Sequence, residues 1–251
     1  MRKFIIFIAM VCLMLGLTSA RPEFNGEKIT YNVMYKWGLI NKKAGEATIT
    51  MKRLGGKYHA ELTAASAPWA DRFYRVRDTL TSVIDPATML PEEYHKMAHE
   101  GNEDKHDVVK FSRVNNKVTG TTTRHVVKKG KLKIDDGRTL TAVGPTVDML
   151  SSYFYMRSLP FHDWTPGRTA TINIFSGKAK ERLTFKYHGI EEIEINGKKF
   201  NCYHITFIFT GDGGKKTSDD MDAWISTDER RIPIQLEGKL PVGKVRCHVD
   251  V

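Results

Sequence analysis

A hydrophobic period of two dominates this chain and limits it to sheet architectures. Ile29, Tyr31, Val33, Tyr35 and Trp37 alternate with Thr30, Asn32, Met34 and Lys36, the pattern of a strand with one buried face. Ala47, Ile49 and Met51 continue it, and the Gly55-Gly56 pair turns into Tyr58, Ala60, Leu62 and Ala64. Further runs follow at Asp78 to Ile84, Pro91 to His99, Asp107 to Phe111, Val118 to Val127, Lys131 to Ile134, Thr169 to Phe175, Arg182 to His188, Phe200 to Thr210, Asp222 to Ser226, Ile232 to Glu237 and Lys244 to Val251. The turns between them are short and built from Gly, Asn or Asp, so successive strands pair antiparallel and leave no room for βαβ crossovers. The expected fold is mainly β: a single large antiparallel curved sheet or incomplete barrel wrapped around one short helix.

That helix is expected between Pro145 and Pro160. Val147, Leu150, Phe154 and Arg157 fall at helical spacing, Met149, Tyr153 and Met156 lie alongside, and Thr146 or Asp148 is placed to cap. Its apolar positions cover more than one face, which suits a helix inside a sheet's concavity. A weaker helical segment is expected over Ala67 to Arg75, where Trp69, Phe73 and Val76 cover an opening. No linker or repeat divides the chain.

The first twenty residues read differently. Arg2 and Lys3 precede the apolar run Phe4 to Leu17, and Thr18, Ser19 and Ala20 are small, the layout of a secretory signal peptide cleaved near Ala20. The run is short against the ~20 apolar residues that span a bilayer, so the chain is expected to be exported, periplasmic or secreted, and not membrane-spanning. Val11 before Cys12 is bulkier than a lipoprotein peptidase prefers, so no lipid anchor is expected. The expected organisation is residues 1–20 as signal peptide and 21–251 as one antiparallel β domain.

Lys and Arg number 39 against 29 Asp and Glu, a formal charge of +10. Losing Arg2 and Lys3 leaves 37 bases and a charge of +8. Arg124, Lys128, Lys129, Lys131, Lys133 and Arg138 gather on one expected hairpin, and Lys178, Lys180, Arg182 and Lys186 on another stretch. Aromatics are not interleaved with the first cluster, and an exported protein rarely meets DNA, which argues against nucleic acid. Lys128, Lys129 and Lys131 are candidate contacts to an anionic surface, against the plainer role of a solvated face.

Removing the leader leaves Cys202 and Cys247. An oxidising compartment permits a disulfide between them, but strand parity sets Cys202 opposite Tyr203, Ile205 and Phe207, while Cys247 shares a face with Val245 and Val249. Joining the two needs a bulge or a sheet rim. A disulfide and two small buried thiols both stay open.

Several short motifs recur in order along the chain: Phe24-Asn25-Gly26-Glu27, Tyr31-Asn32-Val33 and Gly45; Arg77-Asp78 with Ser82-Val83-Ile84-Asp85 and Leu90-Pro91; Val147 to Arg157; and Trp224-Ile225-Ser226-Thr227-Asp228 with Arg231-Ile232-Pro233. From about Phe24 onward the chain thereby resembles the exported bacterial family known as domain of unknown function 3108. The resemblance implies an exported antiparallel β protein similar to the incomplete barrel of the lipoprotein-carrier (LolA-like) group. It implies no activity and carries no catalytic motif.

The residues themselves dictate no reaction. His95, His99 and His106 lie among acids, but on a strand His95 and His99 are about 13 Å apart at ~3.3 Å per residue, too far for one ion. Ser151 and Ser152 sit in a helix, not on a nucleophile elbow, and Cys202 with His204 lacks an orienting third group. No Gly-rich loop opens a helix to hold phosphate. No catalytic residue, metal or cofactor is assigned.

What remains is an aromatic inventory on one sheet face. Its plainest role is packing between sheet and helix, yet a curved sheet of this width is not filled by one short helix, and an unfilled mouth forms an apolar cavity. The expected function is an exported, non-enzymatic, monomeric protein binding a hydrophobic or amphiphilic envelope ligand such as a lipid, lipoprotein or anionic glycan. Trp69, Phe73, Phe154 and Trp224 are the candidate lining. The alternatives are an enzyme acting on an extracytoplasmic polysaccharide or other polymer, which needs paired carboxylates in a cleft at ~5–10 Å, and a structural or accessory module of an envelope complex.

Overall fold

A computed structural model describes residues 22–211, 213–240 and 242–251. The proposed signal peptide, residues 1–20, lies outside the described residues. Eight strands form the first half: β1 (Lys28–Trp37), β2 (Ile40–Leu54), β3 (Lys57–Ser66), β4 (Val76–Ile84), β5 (Pro91–Glu100), β6 (Glu103–Val114), β7 (Lys117–Lys128) and β8 (Lys131–Val143). Seven more follow: β9 (Thr146–Val147), β10 (Thr169–Phe175), β11 (Lys180–Ile195), β12 (Lys198–Gly211), β13 (Met221–Ser226), β14 (Pro233–Lys239) and β15 (Lys244–Val249). Two short helices are α1 (Pro68–Asp71) and α2 (Ser151–Arg157).

All fifteen strands belong to one sheet, in the order β8 back to β1, then β15 back to β9. The chain thus starts mid-sheet, meanders out to one margin, crosses the interior as α2, and meanders back until β15 pairs with β1, Tyr31 opposite Val249 and Lys36 opposite Lys244. Among the described residues only the short β9–β10 pair is parallel. The two margins approach through side chains: Asn173 Nδ2 donates to the Val143 carbonyl at 3.0 Å, and Phe111 of β6 stacks on Phe175 at the end of β10, 5.7 Å between centroids. A Cβ on Gly120 would lie 2.5 Å from the Phe175 ring, so this mid-strand glycine lets the margins close on each other. The expected curved sheet or incomplete barrel around one short helix is the fold found.

The period of two reappears as burial. Ile29 and Tyr31, Ile49 and Met51, Tyr58 and Ala60, Ile84, Tyr94 and Val109 face a common interior, where Leu150 and Phe154 meet them. A second cluster joins Phe161 and Trp164 to Tyr187, Tyr203, Ile205 and Ile225. Large side chains buried this completely contribute roughly 1.5–3 kcal/mol each.

Polar clasps fix α2. The Asp148 carboxylate accepts the N–H groups of Leu150 and Ser151 at 2.8 and 2.7 Å, satisfying orphan donors of the first turn, and accepts the Ser82 hydroxyl at 2.7 Å. At the other end the buried Arg157 forks onto Glu27 at 2.6 and 2.8 Å and donates to the carbonyls of Arg231 and Arg230 at 2.9 and 2.8 Å. Asp228 Oδ1 holds that turn by accepting the N–H groups of Arg230 and Arg231 at 3.1 Å each. Three motifs far apart in sequence therefore meet at one end of the sheet.

The helices are shorter than the apolar spacing suggests. Thr146–Val147 pairs with Asn173 and Ile174 as a strand, so helix begins only at Ser151, and the segment from Ala67 forms a single turn, Pro68–Asp71. Cys202 and Cys247 are both free thiols. Cys247 lies opposite Leu236, Leu236 opposite Ala223, and Ala223 opposite Ile205, so three strand spacings of ~4.8 Å separate β12 from β15. A disulfide needs Cα atoms within ~7 Å, which this order denies them.

Candidate functional site

Alternate turns of a meander lie at the same end, so the β1–β2 turn, the β3–β4 connection carrying α1 and the β14–β15 turn are neighbours along one rim. Beneath them the concave face is unfilled. A cavity of about 670 Å³ opens there between β15, β1, β2, β3 and the start of β4. Its walls are Val33, Tyr35 and Val245 on one side and the small residues Ala44, Gly45 and Ala64 on the other, with Trp69, Ala70 and Phe73 roofing it.

Local chemistry builds each wall. β2 carries a bulge opposite Val33 and Met34, which kinks the strand at Ala44. A Cβ on Gly45 would stand 2.5 Å from the Ala65 carbonyl oxygen, so close pairing of β2 with β3 requires glycine there. The roof is pinned twice. Trp69 Nε1 donates to the Lys43 carbonyl at 2.7 Å, and Asp71 accepts from Arg77 Nη2 at 2.7 Å and from the Ser66 hydroxyl. The Arg77 and Ser66 hydrogen bonds hold the Asp71 carboxyl below its ordinary range. Trp69 and Phe73 meet edge to face at 6.4 Å, and Lys42 Nζ sits 4.8 Å from the Trp69 ring centroid, a cation–π contact. Glu46 is the sole carboxylate among the described lining residues, and Lys43 Nζ lies 2.8 Å from it.

The four candidate aromatics separate into two groups. Trp69 and Phe73 line the cavity together. Phe154 is wholly buried away from it, packed edge to face on Phe24 at 5.3 Å, because it lies on the helix face turned into the solid core. Trp224 lies on the opposite face of β13 from the buried Ala223 and Ile225; it stacks flat on His204 at 4.8 Å and donates to Glu191 at 2.9 Å. Neither belongs to the lining. Sequence reading missed Val33, Ala64, Leu240 and Val245. A signal existed in Leu39, Ile40, Leu240 and Val242, large apolar residues set in or beside hairpin turns where polar residues are the rule.

The candidate lysines lie two turns along the same end. Lys129 and Gly130, both at positive φ, form the two-residue turn between β7 and β8, and Lys128 Nζ is 2.7 Å from Glu103. Among the described residues no group of three His, Cys, Asp or Glu is arranged to hold a metal ion. His99 instead contacts Asp104 at 2.6 Å, and His95 contacts Glu93 at 2.6 Å.

Residues 30–250 match the family described as protein of unknown function DUF3108. The chain belongs to that family. No curated protein matches this DUF3108 chain. Among solved structures it is similar to a beta-barrel-like protein of domain of unknown function DUF1849 from Brucella abortus, with TM-score 0.61 and 9% identity over 91% of this chain and 97% of that one. The likeness shows a shared barrel-like fold. The hypothetical lipoprotein YmcC from Escherichia coli K12 aligns at TM-score 0.32 and 10% identity over 96% of each chain. Among the described residues of the DUF3108 chain no helix is long and apolar enough to cross a membrane.

Proposed function

We propose that this protein is an exported, non-enzymatic carrier or receptor for an anionic amphiphile of the cell envelope, working as a single β domain over residues 21–251. The supporting observation is the apolar cavity at the basic end of the sheet. Its volume of about 670 Å³ falls within the ~300–1,000 Å³ typical of small-molecule sites. Polar groups stand only at its margins, so an acyl or other hydrocarbon chain is the occupant whose burial it favours. An acidic head group at the mouth then meets Lys42 and Lys43. The sole lining carboxylate being tied to Lys43 supports binding over acid–base chemistry, which needs a second carboxylate facing it. Lipids and acylated lipoproteins meet this description; Lys128, Lys129 and Lys131 extend the anion-binding character along the same end.

Delipidated protein titrated with a fluorescent fatty acid, alongside native mass spectrometry of the protein as purified, tests this reading. Micromolar uptake and a co-purifying lipid mass are expected. Ala64→Phe, which places a ring in the cavity, is expected to reduce uptake more than tenfold while leaving the urea midpoint near that of the parent. No uptake of fatty-acid or lipoprotein-acyl probes at micromolar concentration, or uptake indifferent to Ala64→Phe, refutes it.

A further inference from the structure

The tips of the three turns around the cavity mouth carry apolar side chains that reach into solvent, Trp37 and Phe73 of the lining among them. Trp37 is 55% exposed, Leu39 fully exposed, Phe73 83% and Val242 54%. Exposed apolar side chains scattered singly need no explanation, but a cluster on one rim marks an interaction surface. The same rim carries the exposed bases Lys36, Lys42, Lys43, Arg72, Arg75 and Lys239, against two acids, Asp71 held by Arg77 and Glu46 held by Lys43. Lys36, Arg72 and Lys239 have no ion-pair partner among the described residues.

We propose that this rim docks onto an anionic lipid bilayer, with Trp37, Leu39, Phe73 and Val242 entering the interface and the ring of bases lying among acidic head groups. Charge decides between the occupants. A second copy of the chain would set basic rim against basic rim in an isologous contact, which like charges oppose. An acidic bilayer satisfies both halves of the pattern: amphipathic aromatic and aliphatic groups settle ~5–10 Å deep at the head-group boundary, tryptophan favours that depth, and each nearby Lys or Arg strengthens binding. The three turns follow one another in sheet order, β14–β15, β1–β2, β3–β4, so all reach one plane together. Docked this way, the cavity mouth faces the membrane, and an amphiphile passes between bilayer and protein without crossing water. The docking itself stands apart from what the cavity holds.

Purified protein lacking residues 1–20, which retains every described element, is sedimented with phosphatidylethanolamine vesicles containing or lacking phosphatidylglycerol. Binding only to the phosphatidylglycerol vesicles, weakened by added salt, is expected. Removing one charge is expected to cost about fivefold, so Lys36→Gln with Arg72→Gln and Lys239→Gln loses about a hundredfold. Leu39→Ser with Phe73→Ser is expected to abolish sedimentation, and brominated lipid to quench Trp37, read as the difference from Trp37→Phe. These side chains are exposed, so unchanged urea midpoints separate lost docking from lost folding. Lys117→Gln with Lys198→Gln, beside turns at the opposite end of the sheet, serves as the comparator and is expected to lose far less. Equal binding to neutral vesicles, rim variants that still bind, a comparator that loses as much, or a dimer dispersed by the rim substitutions overturns the proposal. Failure of fatty-acid uptake with docking intact refutes the ligand reading alone.

Discussion

Replacing Arg157 with methionine is expected to destabilise the fold by ~4 kcal/mol. The side chain is completely buried and Glu27 nearly so, with side-chain exposures of 0% and 7%. The guanidinium makes two contacts to Glu27, at 2.6 and 2.8 Å, and two to the carbonyls of Arg230 and Arg231; it also lies 4.7 Å from the Phe24 ring centroid. Methionine keeps the hydrocarbon volume but strands a buried carboxylate and two carbonyls. Breaking one side of a buried pair costs ~3–5 kcal/mol, against a total stability of roughly 5–15 kcal/mol. In urea, where m is about 2 kcal/mol per molar, the midpoint falls by about 2 M, read by far-UV circular dichroism. The cycle carries a second signature. Glu27→Met with Arg157→Met removes both charges and is expected to be less damaging than Arg157→Met alone, since paired removal leaves no orphan charge. A shift below about 0.5 M for Arg157→Met, at a cost under ~1 kcal/mol, or strict additivity in the double variant, refutes the view that this clasp ties the N-terminus, α2 and the β13–β14 turn together.

Two further tests address buried groups. Burial pushes the Asp148 carboxyl up to about 6, above the ~3.9 of an unfolded chain; folding therefore favours its protonated form, and that contribution is complete below pH ~4 and lost as pH rises through 6, ~3 kcal/mol in all. Asp148→Asn keeps an acceptor for Leu150 and Ser151 but cannot titrate. The stability difference between parent and variant is expected to move against the parent by that amount between pH 4 and 7, and a difference flat with pH refutes it. Burial likewise pushes the Cys202 thiol up to about 12 and Cys247 to about 11. Both are expected to resist a disulfide-exchange reagent at pH 8 until the protein is unfolded, with non-reducing mass spectra showing two free thiols; rapid modification of folded protein, or a mass two daltons lower, contradicts the strand order.

The strands were legible because period two is a local property, and nearly every alternating run became a strand. What escaped the sequence is what depends on strand order. Whether Cys202 reaches Cys247 is decided by two strands inserted between theirs, and the pairing of Lys128 with Glu103 exists only once β6 and β7 are in register. Parity alone argued against placing Trp224 inside, since Ala223 and Ile225 already claim the inner face of β13; its indole instead stacks on His204 while its N–H donates to Glu191. Phe154 sits within one short helix and Phe73 just after another, and nothing local says that one helix is enclosed while the other is a roof.

The position of the cavity, by contrast, was written along two strands. β2 passes from Ala44 and Gly45 to Ile49 and Met51, and β3 runs back from Tyr58 and Ala60 to Ala64. Side-chain volume on the inner face thus falls toward the rim. At the large end Phe24, Phe154 and α2 interlock with these residues; at the small end only a four-residue helical turn crosses above alanine and glycine. Interiors pack to uniform density wherever atoms are available, so a strand pair that shrinks its side chains without bringing another element closer leaves space. Filling that space from within, as Ala64→Phe does, restores density at the expense of uptake, which separates a cavity kept for a ligand from one left by imperfect packing.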